Sequence, residues 1–141
     1  MSSTTKKKIL VVEDNADAAM MAGYALEQEG YEAVIASDGE SGLAMAIDDE
    51  DIDLVVLDVM LPGMDGFQVC AELRNRPETE ALPVVMLTAL GSEQDKFNGL
   101  ALSEANVYIT KPADPDEFLE SVKTLLREYP HPRGPKSRTP S

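Results

Sequence analysis

The sequence has 141 residues, 43% of them hydrophobic, with 26 acidic against 12 basic residues and a formal net charge of −14. That length supports one domain with its own core, and the acidity argues against direct contact with nucleic acid, because phosphate contacts need Lys and Arg. A single cysteine, Cys70, excludes an internal disulfide framework, and no stretch approaches the apolar length of a membrane span.

The N-terminus, MSSTTKKKILVV, carries three lysines, but its apolar run is too short for a signal peptide. The chain therefore reads as cytoplasmic, with residues 1–7 a flexible lead. Lys8 to Val12 is a short β-branched run that ends in acids. A helix is predicted from Asn15 to Glu29, closed by Gly30 at a C′ position. Tyr31 to Ala36 reads as a second strand and Asp38 to Ile47 as a second helix. Asp53 to Asp58, DLVVLD, reads as a third strand, and Gly66 to Asn75 as a third helix. Pro83 to Thr88 is a fourth strand, Ser92 to about Leu102 a fourth helix, and Asn106 to Thr110 a fifth strand. The last helix runs from Asp114 to Tyr129, with Asp114 as cap and Pro115 at the first helical position. Residues 130–141 are Pro-rich and basic and read as a disordered tail.

Five alternations of strand and helix predict a parallel sheet. ILVV, LVVL and VVML are apolar on both faces, as strands covered by helices on both sides must be. In such a sheet the strand C-termini share one edge, where ligands bind. Glu13 and Asp14 follow strand 1, Asp58 ends strand 3, Thr88 ends strand 4 and Lys111 follows strand 5. Three carboxylates brought together repel unless a cation sits among them. Mg²⁺ suits such a set, since it takes one or two carboxylates and keeps several waters. Lys111 offers a point charge to Asp58 and an incoming phosphoryl oxygen, and Thr88 offers a hydroxyl. A carboxylate attacking a phosphoryl group in this setting forms an aspartyl phosphate.

The chain resembles the receiver domain of two-component response regulators. The motifs that carry the resemblance are ILVVEDN with Glu13 and Asp14, LDVMLPGMDGF with Asp58, MLTA with Thr88, and YITKP with Tyr108, Lys111 and Pro112. The resemblance covers about Lys8 to Glu128 and implies a flavodoxin-like fold of five helices and a sheet of strand order 2-1-3-4-5, with the receiver at 8–129. It implies Mg²⁺ held by Asp14, Asp58 and the carbonyl of Met60, with Glu13 acting through water. Asp58 would take phosphate from a histidine kinase or a histidine phosphotransfer protein and switch a surface read by a downstream protein target. Thr88 and Tyr108 would move with it, and the Lys111–Pro112 bond would be cis. Two departures stand out: Glu104 and Ala105 occupy the place of a common Gly-Ala pair, and Glu13 replaces the commoner Asp.

Each residue also has a plainer reading. Asp14 caps a helix, Thr88 merely ends a strand, and Tyr108 is a half-buried edge aromatic. Cys70 packs inside a helix, His131 has no role, the acidic run from Asp48 to Asp53 is solvated, and Lys6 to Lys8 sit in water. A haloacid-dehalogenase-type phosphatase needs a second acid where this chain has Met60. A flavin or nucleotide module needs a Gly- or hydroxyl-rich loop where this chain has EDNADAA. A pseudo-receiver would not need the full set of acids, Thr and Lys. No output segment follows the last helix, so the chain reads as a stand-alone receiver or, alternatively, as one cut from a longer regulator or hybrid kinase.

The first helix carries a last expectation. Ala18, Met21, Ala22, Ala25 and Leu26 fall at helical spacing and should pack on the sheet. Ala19, Met20, Gly23 and Tyr24 would then face outward. Helix 1 commonly docks the phosphohistidine protein in this family, so Met20 and Tyr24 are expected to form that docking surface.

Overall fold

The computed structural model describes residues 6–88, 105–111, 113–130 and 132–133. In chain order the elements are β1 (Lys8–Val12), α1 (Ala16–Gln28), β2 (Glu32–Ala36), α2 (Gly39–Asp48), β3 (Ile52–Asp58), α3 (Gly66–Arg74), β4 (Val84–Thr88), β5 (Val107–Thr110) and α4 (Pro115–Glu128). The strands form one parallel sheet in the order β2-β1-β3-β4-β5. Four helices lie among the described residues, and the helix expected over 92–102 falls outside them.

Side-chain alternation sorts the strands onto two cores. Leu10, Val12, Val55, Leu57, Val84 and Met86 pack with Val69 and Leu73 of α3. Ile9, Val11, Leu54, Val56, Val85 and Leu87 pack with Leu26 of α1 and with Phe118 and Val122 of α4. Helices therefore cover both faces, which is why these strands lack polar alternation. Truncating a fully buried residue such as Leu57 to alanine is expected to cost about 2–5 kcal/mol.

Caps set the helix limits. Asn15, Asp38, Asp65 and Asp114 each accept a backbone N–H three residues on, satisfying one of the donors a helix start leaves open. Gly30 follows α1 with φ +92°, the left-handed C′ conformation that glycine adopts without strain.

The N-terminal edge of the sheet differs from the solvated acidic run expected there. Between β1 and β3 the pairing passes from Lys8–Ile52 to Ile9–Leu54, so Asp53 is an extra residue, a bulge. Asp53 is fully buried, and its Oδ2 accepts the Lys8 backbone N–H at 2.9 Å. The carboxylate thus takes up a donor that the bulge removes from the ladder. Lys8 is not a free surface lysine either: its Nζ lies 2.9 Å from Asp49 Oδ2. The tail read as disordered begins bound, since Arg133 donates to the backbone carbonyls of Asp49 and Glu78 at 2.9 and 3.2 Å.

Candidate functional site

Four strand ends bring polar side chains to the C-terminal edge. Glu13 stays on the sheet beyond β1 because its N–H donates to Ala36 O at 3.0 Å. Its side chain is buried, whereas Asp14 is exposed. The Asn15 cap starts α1 at once, so both acids remain at the edge. Asp58 ends β3 and is buried. One carboxylate oxygen each from Glu13, Asp14 and Asp58 lie within 4.8 Å of one another. Lys111, just past β5, places Nζ 2.9 Å from Asp58 Oδ2 and 3.0 Å from Glu13 Oε1. Its backbone N–H donates to Thr88 O at 2.7 Å, fastening the end of β5 to that of β4.

The loop after Asp58 is held close. The Met60 N–H donates to Asp58 Oδ1 at 3.1 Å, which turns the Met60 peptide toward the acid. The Gly66 N–H reaches back to Val59 O at 3.0 Å. A Cβ on Gly66 would lie 2.3 Å from Asp58 O, so only glycine lets α3 start against the end of β3. Asp65 and Gln68 form a reciprocal capping box that locks this start.

Burial raises the Glu13 carboxyl above its ordinary value, and the neighbouring Asp58 adds to the rise, while Lys111 and the Asn15 N–H pull it back. Burial lowers the Lys111 ammonium, but hydrogen bonds and charge from Asp58 and Glu13 outweigh that, so its pKa is raised. One half-buried ammonium shared by two buried carboxylates leaves net negative charge beside exposed Asp14. That arrangement attracts a cation.

The other expected residues fall as follows. Thr88 is buried at the end of β4, one residue beyond Leu87, which pairs with Asp58. Tyr108 is half-buried on β5 and packs against the core on the α2–α3 side. Pro112 lies outside the described residues, and so does its peptide geometry. Met20 and Tyr24 are 67% and 64% exposed.

The packed face of α1 is only partly the expected one: Leu26 is buried and Ala22 packs beside it as expected, but the helix is rotated about them. Ala19, Gly23 and Leu26 are buried, and Met21 is 73% exposed. The small residues Ala19 and Gly23 let the helix lie close to β2: a Cβ at Gly23 would touch Ile35 Cδ1 at 3.6 Å and Ala33 Cβ at 3.7 Å. The stripe of Ala18, Met21, Ala22 and Ala25 instead lines a groove of about 570 Å³ toward Pro115 and Phe118 of α4, with Glu13 and Lys111 among its walls. Met21 escaped the sequence reading because in an alanine-rich helix two adjacent stripes score alike.

Residues 9–123 match the response regulator receiver domain family. The chain belongs to that family. This receiver domain is 47% identical over 121 residues to the alkaline phosphatase synthesis transcriptional regulatory protein PhoP of Bacillus subtilis, a match covering 86% of this chain and 49% of that protein. The chain spans about half the length of the curated relatives it matches. Among solved structures it resembles the signal receiver domain of a signal transduction histidine kinase from Syntrophus aciditrophicus, with a TM-score of 0.83 and 30% identity over 94% of this chain and 97% of that one. The receiver domain of a sensor histidine kinase from Pseudomonas aeruginosa has a TM-score of 0.76 and 28% identity over 87% of this chain and 97% of that one, and is described with a magnesium ion coordinated in its active-site cleft. As a receiver domain the chain is a phosphorylated signalling module of two-component systems. Among the described residues no helix is long and apolar enough to cross a membrane.

Proposed function

We propose that Asp58 is the phosphoacceptor of this receiver and takes its phosphate from a histidine kinase or a histidine phosphotransfer protein. The observation that carries the reading is the Lys111 ammonium 2.9 Å from Asp58 Oδ2, in a cluster where three carboxylates crowd together. In the transfer an Asp58 carboxylate oxygen bonds to phosphorus, the P–N bond to the donor imidazole breaks, and the imidazole keeps the electron pair. Lys111 holds the carboxylate in place and offers its charge to the phosphoryl oxygens. The Met60 N–H, on the other carboxylate oxygen, orients the group further. The donor set fits Mg²⁺: Glu13, Asp14, Asp58 and the Met60 carbonyl would hold it. When bound it supplies positive charge that offsets the charge of the phosphoryl oxygens.

Thr88 serves as the hydroxyl that follows the phosphoryl group, and Tyr108, behind it on β5, reports that movement to a downstream protein target. The unit is read as flavodoxin-like over 8–129 and as cytoplasmic. Two apolar surfaces on α1 compete for the phosphodonor: the expected Met20 and Tyr24 face, and the groove side of Met21. The groove side is favoured, because its walls include Glu13 and Lys111.

Asp58→Asn tests the central assignment. It is isosteric but a poor nucleophile, so acid-labile and base-labile phosphate incorporation from a small phosphodonor should vanish while the circular dichroism spectrum is kept. Wild-type incorporation by the variant would exclude Asp58 as the acceptor.

A further inference from the structure

An α-helix ends with carbonyls that lack intrahelical donors and with a partial negative charge that favours a cation. In α2 that need is met only in part by local backbone: the Asp49 N–H donates to Met45 O at 2.9 Å and the Ile52 N–H to Asp49 O at 3.2 Å. Its last turn holds no basic residue, and Asp48, Asp49 and Glu50 close it with three successive acids. Lys8 pairs with the Asp49 side chain but leaves the helix carbonyls to other donors. Further donors come from far along the chain. Arg133 Nη2 donates to Ala46 O. Arg133 Nη1 donates to Asp49 O at 2.9 Å and to Ile52 O at 3.4 Å, and its Nε donates to Glu78 O at 3.2 Å. A flat guanidinium with five fixed donors can serve several carbonyls at once, which a lysine ammonium does less well. Glu50, Asp49, Asp53 and Glu78 face the group and favour its charge, against a burial that lowers its pKa. The connecting segment has a second attachment, because Pro130 O accepts from Lys7 Nζ at 3.0 Å.

We propose that Pro130 and Arg133 anchor a strap built into this domain, with Arg133 as a tertiary C-cap of α2. The clamp binds the end of α2, the start of β3 and the segment between α3 and β4 to the exit of α4. It ties the segment after α4 to the N-terminal edge of the sheet, the edge opposite Asp58. The acidic run from Asp48 to Asp53 is the cradle for this clamp and for Lys8. The strap stands independently of the phosphoacceptor assignment, since it involves none of those residues.

Hydrogen exchange on the full chain tests it with Arg133→Ala and Arg133→Lys. Losing a cluster of charge-assisted hydrogen bonds should speed exchange of the amides of 46–53 by about tenfold to a hundredfold. The excess should be local, with β4 and β5 amides changing far less. Arg133→Lys should recover part of the protection, because an ammonium keeps the charge and loses the fork. Exchange at 46–53 equal to wild type in Arg133→Ala would overturn the strap. An increase spread evenly over the whole sheet would overturn it as well, because a general loss of stability is not a clamp.

Discussion

At the C-terminal edge of the sheet, Lys111 is the one described cation bonded to Glu13 and Asp58, and Asp14 stands beside them in solvent. At the N-terminal edge the acids are more numerous, yet Lys8 neutralises Asp49, a backbone N–H binds one oxygen of Asp53, and Arg133 lies among the rest. The pKa directions record the difference. Glu13 is raised above its ordinary 4.5, chiefly by burial. Asp49 is also pushed upward by burial, but the Lys8 hydrogen bond and the Asp51 N–H prevail and hold it below 3.8. The same residue class is thus a charge excess at one edge and a structural tie at the other. A receiver needs the excess where it must take up a cation and a phosphoryl group, and it needs the ties where the fold is only being closed.

The largest effect expected from breaking this contrast is at the docking surface beside the crowded edge. Met21→Glu should slow phosphotransfer from a phosphohistidine protein by about tenfold or more, as loss of an interface anchor does, and leave labelling by a small phosphodonor unchanged. Met20→Glu should do much less. The reverse ranking would return the docking site to the Met20 and Tyr24 face, and equal loss with both donors would mean damage to the pocket.

Relieving the charge excess should be visible in stability. Mg²⁺ at ten times its dissociation constant should add about 1.4 kcal/mol and raise Tm by roughly 3–6 °C. Glu13→Gln should reproduce part of that gain without metal. A carboxyl raised in the folded state favours the fold below its ordinary value and costs stability as pH rises through the raised value. The variant should therefore melt higher than wild type at mildly alkaline pH and match it in acid. A lower melting point at alkaline pH would show that the Lys111 bond to Glu13 outweighs the cost of burial.

The smallest effect belongs to the satisfied edge and has the opposite slope. A depressed carboxyl contributes stability above its ordinary value and loses it as pH falls through the folded value. Asp49→Asn should cost at most about 1 kcal/mol at neutral pH and low salt, because the Lys8 pair is partly exposed. The gap to wild type should close in acid melts. A gap that persists below the carboxylate range would mean that the ion pair is not its source.

The sequence by itself determined a parallel sheet covered on both faces and the shared edge of Glu13, Asp14, Asp58, Thr88 and Lys111, and its resemblance to receiver domains implied the strand order. Doubly apolar strands alternating with capped helices admit a parallel sheet, and a parallel sheet puts every strand end on one edge. Close approach and long-range hydrogen bonding were left to the tertiary structure. The rotation of α1 that buries Ala19 and Gly23 and frees Met21 depends on how near the helix lies to β2, and alanine and glycine carry too little hydrophobic contrast to reveal it. Asp53 is buried because a bulge in β3 leaves the Lys8 N–H to its carboxylate, and period-2 patterning has no sign for a bulge. Arg133 sits in a proline-rich stretch whose composition suggests no partner. Its acceptors are backbone carbonyls at 46, 49, 52 and 78. Every residue carries such a carbonyl, so only the fold decides which of them gather around one guanidinium.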